Sequence, residues 1–357
     1  MKRNLLMVAG PTEIEDDVLA YGARPLVYNR TPEFSEHILK IEKGLQELFV
    51  TKNRVFILTS SGTGAMETAV VNLLSSGDKV LVVDAGTFGH RWFEIADAYG
   101  VECDVIKVPQ GISVDPELIR SRITEDIKAV FVTANETSVG ITIDLKKIGL
   151  LVKDTNAVLV VDAVSSLGSD PLETDNWFCD VVITSTQKAL ALPPGLSFIT
   201  VSDKAWSLVE KSTLPKYYFN LKEYRANMLR GQTPFTPAIS LLFQLGKRLE
   251  KLHEIGLTET ISIQRKKSLY LRKGCERLGL SVIGDSPSNG VVGIKVPEHL
   301  DAFEVVQILR KEHGVEIAPS PGEDKHKVIR IGMFGAIDLS DIDKLLNVLE
   351  GVLSEAM

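Results

Sequence analysis

Seven short β-branched runs punctuate residues 50 to 200, and helix-length amphipathic stretches separate most of them. The runs are "RVFIL" (54–58), "KVLVV" (79–83), "CDVIKV" (103–108), "AVFVT" (129–133), "AVLVV" (157–161), "DVVIT" (180–184) and "LSFITV" (196–201). They are continuously apolar, as strands buried on both faces are, rather than alternating. Strands that alternate with helices predict an α/β fold: a mainly parallel seven-stranded sheet between helices. The gap before 196–201 is too short for a helical crossover, so that strand is expected to run antiparallel.

The intervening helices are expected near 64–75, 90–99, 115–122 and 144–154, with a further one at 237–254. "LHEIGL" (252–257) then carries a C-cap-like Gly256. Beyond it a long helix over roughly 258–279 is followed by "LSVIG", "NGVVGIKV", a helix at 301–313, "VEIAP", "VIRIG" and a last helix from about 339. This β-β-α-β-β-α order predicts a separate, smaller α+β domain. The expected division is an N-terminal segment (1–15), a large domain (16–257) and a small C-terminal domain (258–357). At 357 residues the chain is long enough for two cores.

Bulk properties exclude some functions. A net charge of -7 argues against a general nucleic-acid binder, whose footprint is a basic surface. No apolar run approaches the roughly 20 residues that span a bilayer. The apolar stretch in "MKRNLLMVAGPTE" is shorter than a signal h-region, which predicts a cytoplasmic protein. Cys103, Cys179 and Cys275 are far apart and suit reduced, buried thiols. The six histidines show no ligand spacing, so no protein-bound metal is expected.

In open α/β sheets ligands sit beyond the carboxyl ends of the strands, so the residues after each run are the candidate site. After 54–58 comes "TSSGTGAMETAV", where Gly62, Thr63 and Gly64 open directly into a helix. Exposed N–H groups there can hold a phosphate, or the stretch is only a capped turn. It matches neither a Walker A loop nor G-x-G-x-x-G, since Glu67 takes the last position. Asp162 follows five apolar residues and needs a cationic or N–H partner to stay ionised; a helix cap or a protonated ring nitrogen would each serve. Lys188 in "STQKALALPPG" has only one turn before the prolines. It is either a snorkelling side chain or an amine whose pKa is lowered, which makes it a nucleophile toward carbonyls. Phe88, between Gly86 and Gly89, can lay a ring on a flat ligand or fill the core. Glu136 and Thr137 can bond a ligand or build a turn. An anion cradle, a flat aromatic, a carboxylate and a desolvated lysine on one sheet edge are what pyridoxal phosphate requires.

These residues resemble class V aminotransferases of pyridoxal-phosphate fold type I, nearest the alanine–glyoxylate and serine–pyruvate group. The resemblance covers nearly the whole chain: "AGPTEI" (9–14), "NRTPEF" (29–34), "SGTGAMET" (61–68), "NETSVG" (135–140), "VDAVSSLG" (161–168), "STQKALALPPG" (185–195), "QTPFTPAISLL" (232–242) and "IRIGMFG" (329–335). It implies that Lys188 forms the Schiff base with the cofactor and then carries the proton, and that Asp162 partners the pyridine nitrogen. It assigns Gly62, Thr63, Gly64 and Gln187 to the phosphate, Phe88 to one ring face, Val164 to the other, and Thr137 to the ring oxygen. Gly10 and Arg330 are the substrate-binding residues it implies, Arg330 clamping the α-carboxylate. It also implies a homodimer with shared active sites, "GQTPFT" being donated so that Gln232 and Thr233 reach the partner's phosphate.

The activity expected is transfer of an amino group from alanine or serine to glyoxylate or pyruvate by ping-pong half-reactions. No second arginine for a distal carboxylate stands out, unless Arg30 or Arg91 serves. Alternatives are a nicotinamide-dependent dehydrogenase, an aspartate or aminoethylphosphonate transaminase, a lyase or desulfurase on the same fold, and a non-enzymatic binding protein. The dehydrogenase would leave Lys188 and Asp162 unexplained. A desulfurase needs a nucleophilic cysteine on a late mobile loop, whereas Cys275 falls in an expected helix.

Overall fold

The computed structural model describes residues 4–355. Its main sheet has seven strands: β1 Val55–Leu58, β2 Lys79–Asp84, β3 Glu102–Lys107, β4 Ile127–Thr133, β5 Val158–Asp162, β6 Val181–Ser185 and β7 Ser197–Val201. Their order across the sheet is β1-β7-β6-β5-β4-β2-β3. All pairings are parallel except those of β7, which runs antiparallel to both β1 and β6. β7 follows β6 after a loop too short to return the chain to the starting edge, so the reversal is forced. Every residue of β1, β5, β6 and β7 is buried. Helices on both faces produce that, and it is why the runs lack a period-2 alternation.

Helix starts follow local chemistry. Asp115 and Asp144 accept bonds from Glu117 N and Lys147 N at the heads of Pro116–Arg122 and Leu145–Val152. One long helix, Pro32–Phe49, lay outside the sequence expectations. Yet Thr31 caps it through Phe34 N, Pro32 occupies its first turn, and Phe34, Ile38, Ile41, Leu45 and Leu48 form its buried stripe.

Ile239–Ile255 stops at Gly256, whose φ of 83° lies in the region that favours glycine, and Leu257–Arg277 starts immediately after. Past this point a second hydrophobic cluster gathers Leu271, Cys275, Val305, Leu309, Leu345 and Leu349 around a four-stranded antiparallel sheet. That sheet runs in the order Ser281–Val282, Val291–Lys295, Val328–Gly332, Ala318–Pro319. The amino-terminal residues join this cluster: Leu5–Leu6 pairs with Val315–Glu316, Met7 is buried in it, and Gly332 N donates to Met7 O at 2.7 Å. From there the chain crosses to the carboxyl ends of the main strands. Among the described residues no helix is long and apolar enough to cross a membrane.

Candidate active site

Loops from the carboxyl ends of β1, β2, β4, β5 and β6 close around a cavity of about 210 Å³. Its lining includes Gly62, Thr63, Phe88, Arg91, Thr137, Asp162, Val164, Gln187 and Lys188. Residues spread over more than a hundred positions therefore meet in one place. Six that the sequence singled out do not line this cavity: Gly10, Gly64, Glu136, Gln232, Thr233 and Arg330.

The loop after β6 explains where Lys188 sits. Thr186 ties it shut, its N–H donating to Leu196 O (3.1 Å) and its hydroxyl to Pro193 O (2.8 Å), while Leu192 N donates back to Thr186 O (3.1 Å). No helix follows Lys188; it stands in a closed turn and is 8% exposed. Its Nζ donates to Ala9 O. Gly10, at φ 100°, lies against its methylenes, and a Cβ there would come within 2.7 Å of Lys188 Cδ. A side chain at position 10 would displace the lysine. Burial, reinforced by the nearby Arg330 charge and opposed by Asp162, pulls the Lys188 ammonium down to about 8. A drop from 10.5 corresponds to roughly 3 kcal/mol against the charged form.

Asp162 ends β5 and is 4% exposed. Burial pushes its carboxyl up to about 6, against the Val164 N–H that donates to Oδ1 at 2.9 Å. Glu136 also raises it, and Lys188 and Arg91 lower it only weakly. A buried carboxylate with one N–H partner is under-compensated. It is suited to receive a cation.

Gly62 begins the helix Gly62–Leu73, and no side chain caps that helix. A Cβ on Gly62 would come within 2.9 Å of Val164 Cγ2 and 3.2 Å of Ser185 Oγ. One on Gly64 would strike Ser60 Oγ at 2.6 Å. Ser185 Oγ and Gln187 Oε1 are buried without a protein partner. Uncapped N–H groups beside unpartnered polar atoms form a cradle for an anion.

Glu136 proves to be a builder of the site. Its buried carboxylate accepts from Phe88 N (3.1 Å), Gly89 N (3.0 Å) and the Ser138 hydroxyl (2.5 Å), capping the helix Thr87–Ala98 from outside its own segment. Gly86, at φ 152°, is required there, because a Cβ would meet Ser138 Oγ at 2.6 Å and Glu136 Cδ at 2.8 Å. Phe88 is thereby fixed at the cavity wall. Thr137 Oγ1 lies 2.7 Å from Ser165 Oγ, whose hydroxyl donates to Asn135 O.

Arg330 projects from the small sheet toward the main one. Its Nε and Nη2 donate to Pro319 O (3.1 and 3.0 Å) and its Nη1 to Thr137 O (3.1 Å). Three of five N–H groups are used, which leaves one on each Nη, the pair a carboxylate takes bidentately. Burial lowers its affinity for its proton, and Glu136 opposes that.

Gln232 and Thr233 are held by Arg30 instead. Its Nη1 donates to Gln232 Oε1 (3.1 Å) and Thr233 O (2.8 Å), and its Nη2 to Pro234 O (3.3 Å). Arg91, by contrast, enters the cavity: its Nη1 donates to Thr63 Oγ1 (3.3 Å) and its guanidinium lies over the Phe88 ring, 4.8 Å from the centroid. Sequence reasoning named Arg91 only as a possible second clamp. Its position three residues after Phe88 on a helix was the available signal.

The chain resembles known proteins over nearly its whole length. Residues 16–345 match the family model described as aminotransferase class-V. The soluble hydrogenase small subunit of a Synechococcus species is 35% identical over 98% of this chain and 93% of its own length. The L-aspartate–glyoxylate aminotransferase of Paracoccus denitrificans is 30% identical, over 94% and 87% respectively. Among solved structures, the alanine–glyoxylate aminotransferase of a Nostoc species superposes with a TM-score of 0.96 at 27% identity, covering 99% of this chain and 96% of that one.

Proposed function

The chain belongs to the class V aminotransferases, and on that premise we propose that it moves an amino group from alanine or serine to glyoxylate or pyruvate. The reaction would proceed in two ping-pong half-reactions, in a cytoplasmic homodimer. The cofactor of such an enzyme is pyridoxal phosphate. The residues present fit it: an uncapped helix start with unpartnered Ser185 and Gln187 atoms for the phosphate, and an under-compensated Asp162 for the ring nitrogen. When bound, that cofactor supplies an aldehyde to take the amine and a ring to accept electrons.

Lys188 would bind the aldehyde carbon through its neutral amine, and would move the proton released from the donor's α-carbon. The Ala9 carbonyl orients Nζ for both tasks. Asp162 would hold the proton on the ring nitrogen. Phe88 and Val164 would enclose the ring, and Thr137 would reach its oxygen. Arg330 offers its two remaining N–H groups to an α-carboxylate, which donor and acceptor both carry. Gly10 would shape the substrate side by keeping Lys188 in place. A cavity of about 210 Å³ that would also have to hold the cofactor suits small partners. A division after residue 257, between a cofactor-holding domain (16–257) and a small domain bearing Arg330 (258–357), is part of this reading.

The observation that carries the proposal is the desolvated Lys188 facing Asp162 across one cavity. A desulfurase is disfavoured by Cys275, which is fully buried in Leu257–Arg277 with its thiol pushed up to about 12. The test is a donor and acceptor panel read by absorbance of the bound cofactor. Alanine or serine should remove the aldehyde-form band and glyoxylate or pyruvate should restore it. A band that none of these donors alters would refute the proposed chemistry.

A further inference from the structure

Resting on the proposed function, we find one cation of the cavity without a role. Of the residues lining it, only Lys188 and Arg91 are cations. Lys188 lies at the Ala9–Gly10 end, under the amino-terminal strap. Arg91 lies where the helix Gly62–Leu73 begins, bonded to Thr63 Oγ1 at 3.3 Å and steadied on the Phe88 ring.

A phosphate monoester carries close to two negative charges at neutral pH. Uncapped N–H groups supply only the partial charge of a helix end, about half a unit. Hydroxyls and amides such as Ser185 and Gln187 add none. A full cation is needed to balance the dianion, and a guanidinium matches phosphate oxygens in geometry as well as charge.

We propose that Arg91 is the cation of the phosphate site, completing the Gly62–Gly64 cradle, and that it is therefore not a second clamp for substrate. Arg30, the other candidate clamp, is engaged by Gln232, Thr233 and Pro234 in the same chain. Neither of the two candidate clamps is then free to receive a distal carboxylate. The donor class is then small and uncharged at its side chain. The link between Phe88 and Arg91 also makes one helix turn serve two ends of the cofactor, the ring face and the phosphate.

The test compares the affinity of the cofactor-free protein for pyridoxal phosphate with that for pyridoxal, which lacks the phosphate. Both are titrated by absorbance with wild type, Arg91→Gln and Arg91→Lys. A charge-assisted contact is worth enough that Arg91→Gln should cut the preference for the phosphorylated form by about tenfold or more. Its pyridoxal affinity should stay within about threefold of wild type, which also shows that the variant is folded. Arg91→Lys should recover part of the preference. An unchanged preference in Arg91→Gln would overturn the proposal, as would an equal loss for both ligands, which would mark a purely structural role. A selective fall in kcat/KM for aspartate over alanine, with the preference intact, would make Arg91 a clamp instead. Failure of the wild type to bind pyridoxal phosphate would remove the function on which the proposal rests.

Discussion

Lys188 is the residue on which the proposed function turns, and its environment defines a pH signature. A solvated ammonium would titrate near its ordinary value and be almost wholly protonated at neutral pH. Burial under Ala9 and Gly10, with Arg330 nearby, lowers it to about 8. The neutral amine is the nucleophile, so reactivity should rise as pH rises through that value and level off above it. Capture of pyridoxal phosphate by the cofactor-free protein, followed by rapid-mixing absorbance, is expected to accelerate with a midpoint near 8. A midpoint near 10.5 would mean that the lysine is not desolvated. The same burial that activates Lys188 is unfavourable to the cofactor-free fold below pH 8, where the unfolded chain would hold the charge more easily. Between about 8 and 10.5 the unfolded state binds more protons, so stability of the cofactor-free protein rises with pH there.

At the level of elements, the seven strands were legible because each is a compact β-branched run. The reversal of β7 was legible from loop length alone. Lys188, Asp162, Gly62, Phe88 and Thr137 could be gathered because each follows a strand, and strand ends of a parallel sheet converge. What sequence reasoning missed has a common cause. Glu136 caps a helix that starts 49 residues earlier, at Thr87, and Arg91 bonds a hydroxyl 28 residues before it. Such pairings depend on which strands are neighbours, and spatial order is not written locally. The Ala9 carbonyl could not be seen for the same reason: its partner Lys188 is 179 positions away. Pro32–Phe49 is a different case. Its Thr31–Pro32 start and its apolar spacing are readable signals, but the segment precedes the first β-branched run and so stands outside the strand–helix alternation.

On the scale of the whole molecule, the proposed dimer needs a surface to bury. Leu26, Tyr28, Tyr217 and Leu229 are 65–83% exposed, and Arg30 ties the segment next to Tyr28 to Gln232–Pro234. Burial of such bare apolar side chains is what the proposed dimer would supply. Sedimentation velocity of the cofactor-loaded protein should give a dimer, and Tyr28→Glu with Leu229→Glu should shift it toward monomer while lowering cofactor retention. A wild-type monomer that holds its cofactor fully would contradict shared sites.

The four-stranded sheet brings Arg330 to Thr137, and the strap from Leu5 to Gly10 brings the carbonyl that holds the Lys188 amine. That amine is where the central claim is tested most directly. The cofactor-loaded protein can be reduced with borohydride, digested and mapped by mass spectrometry. The pyridoxyl group is expected on the peptide containing Lys188, and no labelled peptide is expected from Lys188→Ala. A label on any other lysine, or a wild-type protein that carries none, would contradict the assignment.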